Sequence, residues 1–216
     1  MRIFTIGDIH GNVVLLKKIL KKVNFDYNED KLIILGDIVD RGKHSKECIE
    51  ELTKIKNKVF VIGNHDARFQ KWLIHGGMHL IWRIGGGQAT LRSYGGKHKV
   101  PNHHREFLLT GVPYHIENNC MFVHGGFQPK KKLEDHTPHN FYTNRTLIGF
   151  AKKKRIPKFD HVFVGHTTTQ FVGLGAKKPL TYHNLTLLDT GAGYFFGRLT
   201  LMDIFTREYW QVGRRE

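Results

Sequence analysis

Leu32-Ile33-Ile34-Leu35-Gly36-Asp37-Ile38-Val39-Asp40-Arg41-Gly42 joins a continuous apolar run to a polar turn bounded by glycines. Two further stretches have the same form. Ile3-Phe4-Thr5-Ile6 leads into Gly7-Asp8-Ile9-His10-Gly11, and Val59-Phe60-Val61-Ile62 leads into Gly63-Asn64-His65-Asp66. Short, uninterrupted apolar runs ending at Gly read as buried strands of a layered α/β sheet. In such sheets ligands gather beyond the carboxyl ends of the strands. Val13 to Val23 and Ser45 to Lys56 read as the intervening helices, giving a β-α-β-α-β start with right-handed crossovers.

Two more apolar runs end in the same way. Met121-Phe122-Val123 precedes His124-Gly125-Gly126, and His161-Val162-Phe163-Val164 precedes Gly165-His166-Thr167. The strand ends thus deliver Asp8, His10, Asp37, Asn64, His124 and His166. Carboxylate, amide oxygen and imidazole form a borderline-hard donor set that suits manganese first, and also iron or zinc. The set is too large for one tetrahedral ion. It suits two divalent ions bridged by Asp37, whose strand lies between the other two, and such a pair clamps an in-line displacement at phosphorus.

These motifs resemble the calcineurin-like metallophosphoesterase superfamily. Gly-Asp-x-His-Gly, Gly-Asp-x-x-Asp-Arg-Gly, Gly-Asn-His, His-Gly-Gly and Gly-His-Thr are similar to its phosphoprotein phosphatase branch, which includes small bacteriophage and bacterial serine/threonine phosphatases. Leu188-Asp189-Thr190-Gly191-Ala192 and Gly197-Arg198-Leu199-Thr200-Leu201 extend the likeness, which runs from Arg2 to about Trp210. Many nucleases and phosphodiesterases of the superfamily carry Gly-His-x-His, whereas this chain has Gly165-His166-Thr167-Thr168.

The resemblance implies a metal-dependent phosphomonoesterase that uses hydroxide held between two ions. It implies Arg41 as a fork for phosphate oxygens, Arg145 as a second phosphate-binding arginine, and Asn64 beside the substrate as well as on a metal. His65 would protonate the leaving group, held in position by Asp40. Asp66 stands where the best-known protein phosphatases have Glu, and is read as a cap for a helix bearing Phe69, Trp72 and Leu73. That residue keeps a symmetrical diadenosine tetraphosphatase, or a nucleotide or RNA 5′-end phosphohydrolase, as the alternative. A metal-free interaction scaffold is disfavoured because the ligand set is complete.

A chain of 216 residues is expected to form one domain over residues 1–216. The expected architecture is an α/β, four-layer fold: a two-sheet β-sandwich flanked by helices, with the metals at one end. Strands at Val162, Leu185–Leu188, Arg198–Phe205 and Glu208–Gln211 read as a meander. Residues from His75 to His115 read as the least regular region, with a helix over Gln88 to Tyr94 and with Gly85-Gly86-Gly87 as a loop or cap. His103, His104, His136 and His139 read as surface histidines.

The formal net charge is +15, with lysines clustered at Lys17-Lys18, Lys21-Lys22, Lys130-Lys131-Lys132, Lys152-Lys153-Lys154-Arg155 and Lys177-Lys178. Such a field favours anionic substrates, phosphoproteins or small phosphate esters among them. Without interleaved aromatics the clusters do not amount to a nucleic-acid motif. No apolar run approaches the ~18–20 residues that span a bilayer. A first strand from about Arg2 leaves no room for a signal peptide. Cys48 and Cys120 suit a reducing compartment. A soluble, cytoplasmic protein is the expectation.

Overall fold

In the computed structural model of the chain, which describes residues 1–77 and 80–214, the amino-terminal half alternates strand and helix. β1 (Ile3–Ile6), α1 (Val13–Lys22), β2 (Lys31–Ile34), α2 (Ser45–Thr53) and β3 (Asn57–Phe60) are followed by α3 (Asn64–His75). The helices α4 (Leu80–Trp82), α5 (Gln88–Tyr94) and α6 (Asn102–Leu109) come next, with a kink at Gly86 between the first two. The carboxyl-terminal half carries β4 (Tyr114–Glu117), β5 (Cys120–Val123), α7 (Pro138–Thr143), α8 (Thr146–Ala151), β6 (His161–Val164) and α9 (Thr169–Val172). It ends with β7 (Leu180–Tyr182), β8 (Leu185–Leu187), β9 (Arg198–Asp203) and β10 (Tyr209–Gly213).

Two five-stranded sheets result, ordered β10-β9-β1-β2-β3 and β4-β5-β6-β8-β7. β1, β2 and β3 are parallel and end the first sheet on one side, with β9 and β10 antiparallel on the other, whereas the second sheet has a parallel centre of β5, β6 and β8 with antiparallel edges. Period-two alternation sorts their side chains into three apolar layers. Phe4, Ile6, Leu32 and Ile34 face α1 and α2, whereas Met121, Val123, Val162 and Val164 face α7 and α8. Ile3, Ile33, Leu35, Phe122, Phe163 and Leu188 meet between the sheets. The expected four layers, helices–sheet–sheet–helices, are therefore present.

Several expectations are corrected. The carboxyl-terminal strands are not a meander. β6 and β8 pair in parallel in the second sheet, while β9 crosses to lie antiparallel to β1 in the first. Apolarity alone does not say which sheet a strand joins. β9 reaches Asp203 and not Phe205, β10 runs from Tyr209 to Gly213, and α2 ends at Thr53. The region from His75 to His115 is largely helical; within it Met78 and His79 lie outside the described residues. His104 and His136 are buried, and only His103 and His139 of that group are exposed. Among the described residues no helix is long and apolar enough to cross a membrane.

Paired residues of β5 and β6 present stacked aromatic rings from the second sheet to the layer between the sheets. Phe122 and Phe163 stack with centroids 5.0 Å apart and planes 8° from parallel, both fully buried. Phe122→Ala should cost about 3–5 kcal/mol, the usual scale for emptying a phenylalanine site. Urea unfolding should show a lower midpoint at unchanged slope; an unmoved midpoint would mean that the sheets are held together elsewhere.

Candidate active site

The residues beyond β1, β2 and β3 interlock through the backbone before any side chain is considered. The carbonyl of Asp37 accepts from Ile9 N (3.1 Å) and His10 N (2.9 Å), and Gly11 N donates to Ile38 O. Gly42 N returns the contact to His10 O. This closeness requires glycine, because a Cβ on Gly11 would lie 2.6 Å from Gly42 O, at a φ of +61°. His10, Asp37, Asp40, Arg41 and His166 all adopt positive φ, a cost of order 1–3 kcal/mol each that surrounding structure must offset.

Asp37 is the centre. Its Oδ1 accepts His65 N at 2.9 Å. Its Oδ2 lies 3.3 Å from His124 Nε2, 3.7 Å from His10 Nε2 and 4.0 Å from His65 Nε2. Asn64 Oδ1 is 3.3 Å from the same His124 nitrogen. The His10 and His124 rings each face a carbonyl through Nδ1, Val39 O at 3.0 Å and Leu35 O at 2.6 Å. Donation there turns both Nε2 atoms inward, toward Asp37. Asp8, on the other side, accepts His166 N through both oxygens and sits 3.9 Å from His10 Nε2.

The donor atoms of Asp37, His124 and His166, and those of His10, Asp37 and His65, lie within 4.8 Å of one another. The Nε2 atoms of His10 and His166 are buried without a hydrogen-bond partner. Burial holds both imidazoles neutral, with pKa values lowered to about 3. His124 behaves oppositely: burial would lower its pKa, but Asp37 and Asp8 outweigh that and raise it to about 10. A proton there occupies the place a cation would take. Burial and the charge of Asp189 drive the carboxyl of Asp8 well above the usual range. Inward imidazoles, orphan nitrogens and crowded carboxylates fit divalent cations held by Asp8, His10, Asp37, Asn64, His124 and His166.

Beside this cluster stands His65. Its Nδ1 is 2.7 Å from Asp40 Oδ2, and its Nε2 is 3.5 Å from Arg41 Nη2. Asp40 is completely buried and saturated: Trp82 Nε1 donates to Oδ2 (2.8 Å) and Thr90 Oγ1 to Oδ1 (2.6 Å). Trp82 and Thr90 escaped sequence reading because they come from the glycine-rich region and belong to no motif. Gly85-Gly86-Gly87, expected as a loop or cap, does supply the N-cap of α5 at Gly87, and it also packs against Arg41. Gly86, at φ +109°, accepts Arg41 N at 3.2 Å, and a Cβ there would lie 2.7 Å from that nitrogen. The triplet seats Arg41, whose guanidinium carbon stands 5.0 Å over the Tyr194 ring. Arg145 is on the exposed rim, near enough for its charge to disfavour protonation of His166.

Asp66 does more than cap α3. It accepts Gly63 N (3.0 Å), and also Asp37 N (2.6 Å) and Ile38 N (3.0 Å) from the neighbouring turn. Phe69 and Leu73 are buried on the same helix, with Trp72 partly so.

Known proteins resemble this chain in sequence and in fold. The sequence profile described as calcineurin-like phosphoesterase matches residues 1–208. Serine/threonine-protein phosphatase 1 of Salmonella typhimurium is 28% identical, over 94% of this chain and 91% of that protein. A symmetrical bis(5′-nucleosyl)-tetraphosphatase of Haemophilus ducreyi is 36% identical over 62% of this chain, which spans 48% of that longer protein. Among solved structures, a protein provisionally described as a diadenosine tetraphosphatase superposes with a TM-score of 0.75 at 22% identity, covering 100% of this chain and 95% of its own.

The bonds made by Asp66 give a direct test of how the turns are held. Asp66→Asn replaces an acceptor oxygen with a donor facing backbone N–H groups. It should destabilise the protein by about 1–3 kcal/mol, the cost of stranding a buried donor, and weaken metal binding because Asp37 is no longer held. Unchanged unfolding and metal affinity together would show that the turn is fixed by its backbone pairing alone.

Proposed function

This chain belongs to the calcineurin-like phosphoesterase family, and within it we propose a two-metal phosphomonoesterase of the serine/threonine protein phosphatase type. The observation that carries the proposal is the Asp40–His65 pair beside Arg41, set against the metal-competent cluster. Asp8, His10 and Asp37 would hold one divalent ion, and Asp37, Asn64, His124 and His166 the other, manganese first by donor type, with iron or zinc as further fits. Bound there, two ions would supply Lewis acidity toward phosphoryl oxygens and an activated water.

The protein's own side chains do the rest. Arg41, held from behind by Gly86 and beside the Tyr194 ring, presents a planar fork to two phosphate oxygens. Arg145 would meet a more distal anionic group from the rim. His65, whose Nδ1 faces Asp40, keeps Nε2 toward the substrate side and gives its proton to the departing alkoxide. Asn64 is placed to serve both the second ion and a phosphoryl oxygen. The formal charge of +15 favours encounter with anionic esters. A soluble cytoplasmic enzyme acting on phosphoproteins or small phosphate esters is the setting we infer.

A second reading, hydrolysis of a dinucleoside tetraphosphate or of a nucleotide or RNA 5′ end, draws on a separate observation. Phe171 and Tyr194 are exposed and meet edge to face beside Arg41, a surface on which a base could stack. Parallel assays on phosphopeptide, p-nitrophenyl phosphate, dinucleoside tetraphosphate and 5′-phosphorylated RNA separate the two. A preference of the last two substrates over phosphopeptide would overturn the first reading.

Metal content tests the ligand assignment. Asp37→Asn should lose both ions, whereas Asn64→Ala should lose mainly one; equal loss from the two variants would contradict a shared carboxylate. His65→Ala should keep both ions yet lower kcat by roughly 10²–10⁴ on a phosphoserine peptide. On p-nitrophenyl phosphate, whose leaving group needs no proton, the loss should be much smaller. Equal losses on the two substrates would remove His65 from the role of general acid.

A further inference from the structure

α2 and α6 meet on the surface with their polar groups converging on one point. Glu50 Oε2 lies 3.0 Å from His103 Nε2 and 2.8 Å from His104 Nε2. The two rings are neighbours in sequence and stand edge to face, with centroids 4.4 Å apart. The three donor atoms fall within 4.8 Å of one another. His103 and Glu50 are about half exposed, whereas His104 is fully buried. Solvent therefore reaches the point from one side only.

The buried ring is held from behind. His104 Nδ1 is 2.9 Å from the hydroxyl of Tyr94 on α5. Tyr94 is itself buried. In the metal-free protein Nε2–H donates to Glu50 and Nδ1 accepts from the Tyr94 hydroxyl; with an ion on Nε2 the tautomer would reverse, and the same hydroxyl can then accept from Nδ1–H. This is the outer-shell support that metal-bound imidazoles characteristically have.

We propose that Glu50, His103 and His104 form a second, independent zinc site that braces α2, α5 and α6. Two imidazoles and one carboxylate with an open, solvent-facing position match zinc chemistry, and the ligand edges of 2.8–3.0 Å need little adjustment. Zinc is favoured over manganese or magnesium because imidazole nitrogen supplies most of the donors. The site's place in the fold gives it a purpose. α5 carries Thr90, which holds Asp40, and one turn later Tyr94, which holds His104. α2 begins at Ser45, whose hydroxyl accepts Asp40 N. An ion at this point would fasten together the segments that fix Asp40 without touching the catalytic cluster.

The test uses full-length protein freed of metal and titrated with zinc, with cobalt(II) as a spectroscopic stand-in. Wild type should bind one equivalent more than either His103→Ala or Glu50→Gln. Cobalt should add a visible absorption band in wild type that both variants lack. At free zinc about a hundredfold above the dissociation constant of the site, wild type should melt roughly 5–10 °C higher than its zinc-free form through this site, and the variants should miss that part of the gain. His103 is exposed, so its replacement should leave folding intact, and Glu50→Gln provides a second route. Equal stoichiometry in wild type and both variants would overturn the site, leaving a hydrogen-bonded clamp. Because the readout is a difference in ion count away from Asp37, it is independent of which substrate the enzyme hydrolyses.

Discussion

The turn at Asp37 is the constraint on which the remainder of the site depends. One residue receives two backbone N–H groups on its carbonyl, gives its own N–H to Asp66, and sends one carboxylate oxygen to His65 N. Only its second oxygen is left free to face imidazole nitrogens. The positive φ at Asp37 is what allows all four directions at once. Loosening this residue would therefore shift the ends of β1, β2 and β3 together, and not one ligand alone.

Much of this was legible in the sequence, because apolar run, glycine and polar residue follow one another in a fixed order. Strand ends aligned by parallel pairing bring such residues to one edge whatever the details of packing. Asp8, His10, Asp37, Asn64, His65, His124 and His166 all lie where that logic puts them. Pairing across the sandwich was illegible for a physical reason. β6, β8 and β9 are equally apolar, and only the three-dimensional competition for neighbours assigns β9 to the first sheet. The support of Asp40 was equally hidden. Trp82 and Thr90 contribute single hydrogen bonds from two helical segments separated by a kink at Gly86, in a stretch whose glycines suggest irregularity. His104 looked like a surface residue because helical periodicity over so short a helix as α6 does not separate it from exposed His103.

The buried carboxylates of this basic protein divide by how far their hydrogen bonds are satisfied. Asp66 is occupied by backbone donors from two turns, and Asp40 by an indole, a hydroxyl and an imidazole. Both are engaged in holding the turns, although burial and the charge of Asp37 still raise the pKa of Asp66 to about 7. Asp8 and Asp37 differ. Each has few protein donors, and each faces an imidazole that burial keeps neutral. Without a cation, burial and the neighbouring carboxylates oppose ionisation of Asp8, and Asp37 retains its charge chiefly through His124 and His65. A divalent cation would relieve both at once. Such a cation would compensate two carboxylates to which the protein offers few donors of its own. The same division explains how adjacent residues serve different ends. Asn64 turns toward the under-satisfied pair and can join an ion, whereas His65, one position later, turns to the satisfied Asp40 and remains available for a proton.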